Sequence, residues 1–182
     1  MKHQQLELDL GKIDKAADER EKENLAFINF IKFESDLTNL EVDKEFHKLN
    51  ETISSRIDCT QCANCCKKLH PEILDEDLPR IASHLNVSAK DFEEHYTNDF
   101  QGDRCMQHSP CVFLKDKKCS IYEDRPLPCA TYPNLDAENM ISRLRIVISN
   151  YGTCPIVYNV VETLKEEWEF SKPDKEENED WA

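Results

Sequence analysis

Cys59-Thr60-Gln61-Cys62-Ala63-Asn64-Cys65-Cys66 sets four thiols within eight residues, and five more follow at Cys105, Cys111, Cys119, Cys129 and Cys154. Thiols at this density oxidise and cross-link unless they are bound to something. A C-x2-C step lets two sulfurs reach one ion from a tight turn, the usual first half of a zinc or iron–sulfur site. Two such steps in succession also match the opening of a ferredoxin-type cluster run. Adjacent side chains of an extended segment point opposite ways, so Cys65 and Cys66 are expected to serve two metal centres or one shared polynuclear centre. A disulfide framework is the competing reading. Against it stand the odd number of cysteines and the polar stretch Met1 to Lys12, which has no apolar run of a secretory signal. The chain is also long enough to build a core without staples.

Outward from this stretch, composition narrows the function classes. At 182 residues the chain reads as one domain with tails. A net charge of −14 argues against a nucleic-acid partner, because phosphate binding needs a basic surface. No run approaches ~18 apolar residues, so no membrane span is expected and the location reads as cytoplasmic. Three glycines are too few for a phosphate-cradling loop or an all-β chain rich in tight turns.

The expected architecture is α+β and predominantly α-helical: a small cysteine-rich, metal-centred domain with an N-terminal helical pair. Residues 1–57 form the helical segment packing on the core, 58–170 the cysteine-cluster domain, and 171–182 an acidic disordered tail. Asp14 to about Leu40 favours helix, with Leu25, Ile28, Ile31 and Leu37 on one face. A second helix runs from about Asp43 to Ile57, carrying Phe46, Leu49, Ile53 and Ile57 at helical spacing. Leu74 to Leu85 reads as a third, with Asp75 or Asp77 near its cap, and Ser88 to Asp91 as a capping box opening a fourth. Pro110 to Leu114 is a strand candidate and Cys119 to Tyr122 returns as a partner strand or tight bend, a hairpin that would bring Cys111 and Cys119 together. Pro126 and Pro128 fix a turn that presents Cys129. Ile141 to Ser149 alternates apolar and polar residues and reads as a strand. Cys154-Pro155 opens the last helix, with Pro155 at its first position and the helix dipole favouring the Cys154 thiolate.

Around the thiols, Lys67 and Lys68 favour the ligating thiolate form, or are simply solvated. His70 is a backup ligand; His84, His95 and His108 have no ligand-like partner and are assigned to the surface. Arg125 pairs either with thiolate sulfurs or with a carboxylate such as Asp124.

Together these motifs resemble the YkgJ-type cysteine-cluster family, a zinc- or iron-chelating domain. The resemblance rests on Cys59-x2-Cys62-x2-Cys65-Cys66, Pro110 to Leu114, Cys119 to Arg125-Pro126-x2-Cys129, and Cys154. It implies eight metal ligands: Cys59, Cys62, Cys65, Cys66, Cys111, Cys119, Cys129 and Cys154. Cys105 falls outside the family's eight, as a free thiol or a substitute ligand. Residue 130 is Ala where many members carry Arg.

Eight thiolates fit two chemistries: closed, redox-silent zinc sites, or iron–sulfur clusters that carry electrons. The first reading is therefore a protein that chelates zinc or iron. The alternatives are an iron–sulfur oxidoreductase or electron-transfer accessory, and a zinc-stabilised adaptor that docks a protein partner on its N-terminal helices. Asp58, Glu123 and Asp124 are available bases, but no spacing sets them apart, and no Cys-His-Asp set, C-x3-C-x2-C run or nucleotide loop marks an enzyme.

Overall fold

The computed structural model describes residues 5–100 and 102–171. The acidic stretch from 172 onward lies outside them. The chain divides into two compact units, one built from the segments up to Ile57 and from Pro133 on, the other from Asp58–Tyr132. Helices and strands are numbered along the chain.

The first unit is helical. Helix α1 (Leu10–Glu19) starts at Asp9, whose carboxylate accepts the Gly11 and Lys12 N–H groups. Helix α2 (Glu21–Asn29) runs into a π-helical turn at Phe30–Glu34. One long helix was expected from Asp14 to Leu40; instead it breaks at Arg20 and ends before Ser35. Phe27, Ile28 and Ile31 are buried while Leu25, Phe33 and Leu40 are exposed. Helix α3 (Asn39–Ser54) begins at a capping box in which Thr38 and Glu41 satisfy each other's backbone N–H groups. It buries Val42, Phe46, Leu49 and Ile53, the helical spacing seen in the sequence.

The segment Met140–Ser149 is helix α9, not the expected strand. Its apolar residues alternate, but the buried ones are Met140, Leu144 and Val147, spaced four and three apart, while Ile146 is 58% exposed. The Asp43 carboxylate accepts the Asn139 and Met140 N–H groups at 3.0 and 2.7 Å, satisfying donors that a helix start leaves open. Helix α10 (Pro155–Glu167) has Pro155 in its first turn, and α3 packs on both α9 and α10. Ile156, Val157, Val160, Val161 and Leu164 are buried, so α10 is the spine of this unit. Near its end Lys165 is buried, with its ammonium 2.8 Å from Glu23, 2.6 Å from Asn24 and 2.9 Å from Glu162. Glu162 also pairs with Arg20 and accepts the Tyr151 hydroxyl at 2.9 Å. Such a network suits a helix end surrounded by packed neighbours, because each buried charge has opposite charge beside it.

In the second unit α4 (Cys59–Cys62) and α5 (Asn64–Lys68) are single turns, followed by α6 (Asp77–Leu85) and α7 (Ala89–Tyr96). Ser88 and Asp91 form the expected capping box of α7. Strands β1 (Thr97–Phe100) and β2 (Asp103–Met106) form an antiparallel hairpin that the polar sequence Thr-Asn-Asp-Phe did not announce. Arg104 ties it down, donating to the Ile73 carbonyl at 3.1 Å and to Asp75 and Glu93 at 2.6 and 2.9 Å. The expected strand pair from Pro110 and Cys119 exists in miniature, as β3 (Leu114–Lys115) and β4 (Lys118–Cys119). Asp116 and Lys117 between them both take positive φ, 49° and 64°, the conformation a two-residue hairpin turn requires. Helix α8 (Leu127–Thr131) closes the unit. Its core is small: Ile73, Ile81, Ala82, Phe92, Met106, Phe113 and Ile121, with Cys111 and Cys119 packed against it. Among the described residues no helix is long and apolar enough to cross a membrane.

Candidate metal centre

The chain's opening thiols sit on two short turns joined by a left-handed residue. Asp58 starts α4, accepting the Thr60 N–H at 2.9 Å and its hydroxyl at 2.6 Å. One helical turn separates Cys59 from Cys62, which puts both on one face, and burial followed by the Cys62 and Asp58 charges raises the Cys59 thiol. Ala63, at φ 48° and ψ 23°, ends α4 and turns the chain into α5. Cys65 and Cys66 are therefore helical neighbours, not members of an extended segment. Their side chains diverge by about 100° rather than 180°, close enough for the two thiols to hydrogen-bond. That bond is the main reason the Cys66 thiol falls to about 6, with the Lys67 charge adding to it against the cost of burial. Lys67 thus does favour the thiolate.

Cys66 is the point where distant segments meet. The Cys111 N–H donates to the Cys66 carbonyl at 2.8 Å, locking the Pro110–Phe113 segment onto α5. Burial raises the thiols of Cys111, Cys119 and Cys129, and in each the next charge to raise it is, or includes, that of Cys66. Cys129 goes furthest, to about 12, with Cys111 and Cys119 adding to the effect of Cys66 and Arg125 opposing it. Cys66, Cys111, Cys119 and Cys129 are therefore electrostatic neighbours, one thiolate-prone sulfur among three protonated ones. Helix α4 packs beside β4, which puts the Cys59–Cys62 turn on the same side of the unit as Cys119. As placed, no three His, Cys, Asp or Glu side chains among the described residues are arranged to hold a metal ion. All nine cysteines are thiols, none in a disulfide.

The remaining candidates divide clearly. Cys154 is buried at the start of α10 and belongs to the helical unit. Cys105 is buried in β2, paired with Asn98 and bridged to Glu72, and burial followed by the charges of Asp103, Glu72 and Asp99 raises its thiol. His70 is exposed, and its Nδ1 lies 2.9 Å from the Met106 carbonyl. A carbonyl only accepts, so Nδ1 carries the proton. His84 pairs with Asp124 at 2.7 Å, which leaves Arg125 to lie over the Tyr122 ring at 3.8 Å rather than on that carboxylate.

The sequence names Asp77 of α6 as a cap candidate, and it is in the first turn, but nothing there points to its burial or to Arg80. Asp77 is fully buried and accepts the Leu127 N–H at 3.0 and 3.2 Å, while Arg80 donates to the Arg125 carbonyl at 3.0 Å. In a chain with 37 acidic residues nothing in the local pattern separates this carboxylate from solvated ones.

The spacing that builds this unit is also what identifies it: the family model CxxCxxCC, described as "Putative zinc- or iron-chelating domain", matches residues 58–155. The chain belongs to the CxxCxxCC family. Over 80 residues it is 34% identical to an uncharacterized protein of Methanocaldococcus jannaschii, a stretch that covers 41% of this chain and 43% of that relative. The match thus spans less than half the length of either protein. No solved structure matches the chain. Within the matched residues, Asp58–Tyr132 contains eight of the chain's nine cysteines, and Cys154 lies in the helical unit.

Proposed function

We propose that the protein binds zinc or iron through clustered cysteine thiolates, and that Cys66, Cys111, Cys119 and Cys129 supply one four-sulfur set. The observation that carries this reading is the Cys111–Cys66 backbone bond at 2.8 Å, with the Cys66 charge raising the thiols of Cys111, Cys119 and Cys129 from three further segments. Four soft donors with no carboxylate among them suit zinc or an iron–sulfur cluster and not a hard cation. The small apolar core supports the same conclusion. Seven buried residues with Cys111 and Cys119 at their margin leave part of the ordering of this unit to ligation. The thiols would close on the ion by side-chain rotation, and the exposed Cys59 with the half-buried Cys62, one turn of α4 apart, offers a second place for a soft metal. A cytoplasmic location supports this reading, because a reducing compartment keeps thiols in such number available to a metal.

The test is anaerobic purification of the full chain, followed by zinc, iron and sulfide analysis and a visible absorption spectrum. Zinc without a visible band assigns a closed thiolate site. Iron with sulfide and charge-transfer absorption assigns a cluster and an electron-transfer role. Metal-free protein whose cysteines are paired would overturn the proposal.

A further inference from the structure

A fully buried carboxylate needs donors, and Asp77 takes them both from around the start of its own helix and from the segment at Leu127. Its two oxygens share the Leu127 N–H at 3.0 and 3.2 Å, and one of them also accepts the Leu74 N–H at 3.2 Å. The other pairs with the Arg80 guanidinium, which at the same time donates to the Arg125 carbonyl at 3.0 Å. A single turn of α6 therefore grips Arg125 and Leu127 by their backbones. Cys129 stands two residues beyond, on the five-residue helix α8, with its own N–H on the Pro126 carbonyl at 2.9 Å. Among the described residues no strand pairs with this segment, so these bonds set where the Cys129 sulfur stands.

We infer that Asp77, backed by Arg80, is a positioning residue that holds the Cys129 sulfur against Cys66, Cys111 and Cys119. The inference rests on the thiolate–metal reading above. Groups that orient a ligand without touching the metal typically govern ~10–100-fold of its affinity. Asp77→Asn keeps the shape and one oxygen, but turns an amide donor toward donors that had an acceptor. Arg80→Gln releases the Arg125 carbonyl and leaves the backbone bonds of Asp77 in place, so it separates the grip from the buried charge.

The experiment loads the anaerobic full-length protein with cobalt(II), whose sulfur-to-metal charge transfer counts bound thiolates and whose visible bands report geometry. Cys129→Ser should lower the charge transfer per cobalt by one thiolate's share. Asp77→Asn should bind cobalt ~10–100-fold more weakly, with its charge transfer moved toward the Cys129→Ser value, and Arg80→Gln should fall between. Ile81→Val, in the core of the same helix, should lower the melting temperature and leave affinity and spectrum unchanged. A wild-type spectrum and affinity in Asp77→Asn, beside an altered Cys129→Ser, would overturn the positioning role and leave the metal reading standing. Affinity losses that merely track melting temperature across all three helix variants would overturn it too. Absence of thiolate charge transfer in the wild type would remove the metal reading and this inference together.

Discussion

Metal binding by the four-thiol set should release a definite number of protons, and the structure sets that number. The Cys66 thiol, held at about 6 chiefly by the hydrogen bond from Cys65, is already about nine-tenths ionised at pH 7. Cys111, Cys119 and Cys129 are raised by burial and by the Cys66 charge, Cys129 to about 12, so all three keep their protons at neutral pH. Ligation requires thiolates, so a metal ion must displace those three protons and very little from Cys66. The sign follows: apparent affinity rises with pH. With about three protons per metal it rises roughly a thousandfold per pH unit near neutrality, roughly 4 kcal/mol. Below about pH 6 the slope steepens toward four, because Cys66 then takes up its own proton. The assay is metal addition to weakly buffered protein with a pH indicator, repeated from pH 5 to 8, alongside competition with a chromophoric chelator. Release of one proton or none at pH 7 would refute the four-thiol set. A constant release of four would refute the preformed Cys66 thiolate.

Three further outcomes are expected. Lys165→Met removes the buried ammonium that bonds Glu23, Asn24 and Glu162, and should cost roughly 3 kcal/mol in denaturant unfolding of the helical unit. An unchanged midpoint would contradict that assignment. Ala63→Val forces a β-branched residue into the left-handed conformation between α4 and α5, and should destabilise the cysteine unit by about 2 kcal/mol as read by thermal melting. Chelation under reducing conditions should speed amide exchange across residues 58–132 while α3 and α10 keep their protection, because the first segment has the smaller core; equal loosening of both units would argue against ligation as a folding contribution.

Local chemistry was the legible part of this chain. Thiol spacing, the capping box at Ser88, the helix start at Pro155 and the buried face of α3 are all written in neighbouring residues, and the structure has them where the pattern puts them. Helix α9 was misread because a short alternating run satisfies a strand pattern as well as half a helix face. Its neighbour α3 and the Asp43 carboxylate, about a hundred residues away, decide the matter. The same limit hid the Cys111–Cys66 backbone bond, which joins segments far apart in sequence. Asp77 was legible as a cap candidate of α6, but its grip on the Leu127 segment was not. Burial, not residue type, makes that carboxylate matter, and burial is a property of the fold.

The most direct test of the central claim is X-ray absorption at the metal edge of the anaerobically purified full-length protein. Thiolate ligation predicts a first shell of four sulfurs, at about 2.3 Å if the metal is zinc, with loss of one sulfur in Cys66→Ser. A shell dominated by nitrogen or oxygen, or one unchanged by that substitution, would contradict it.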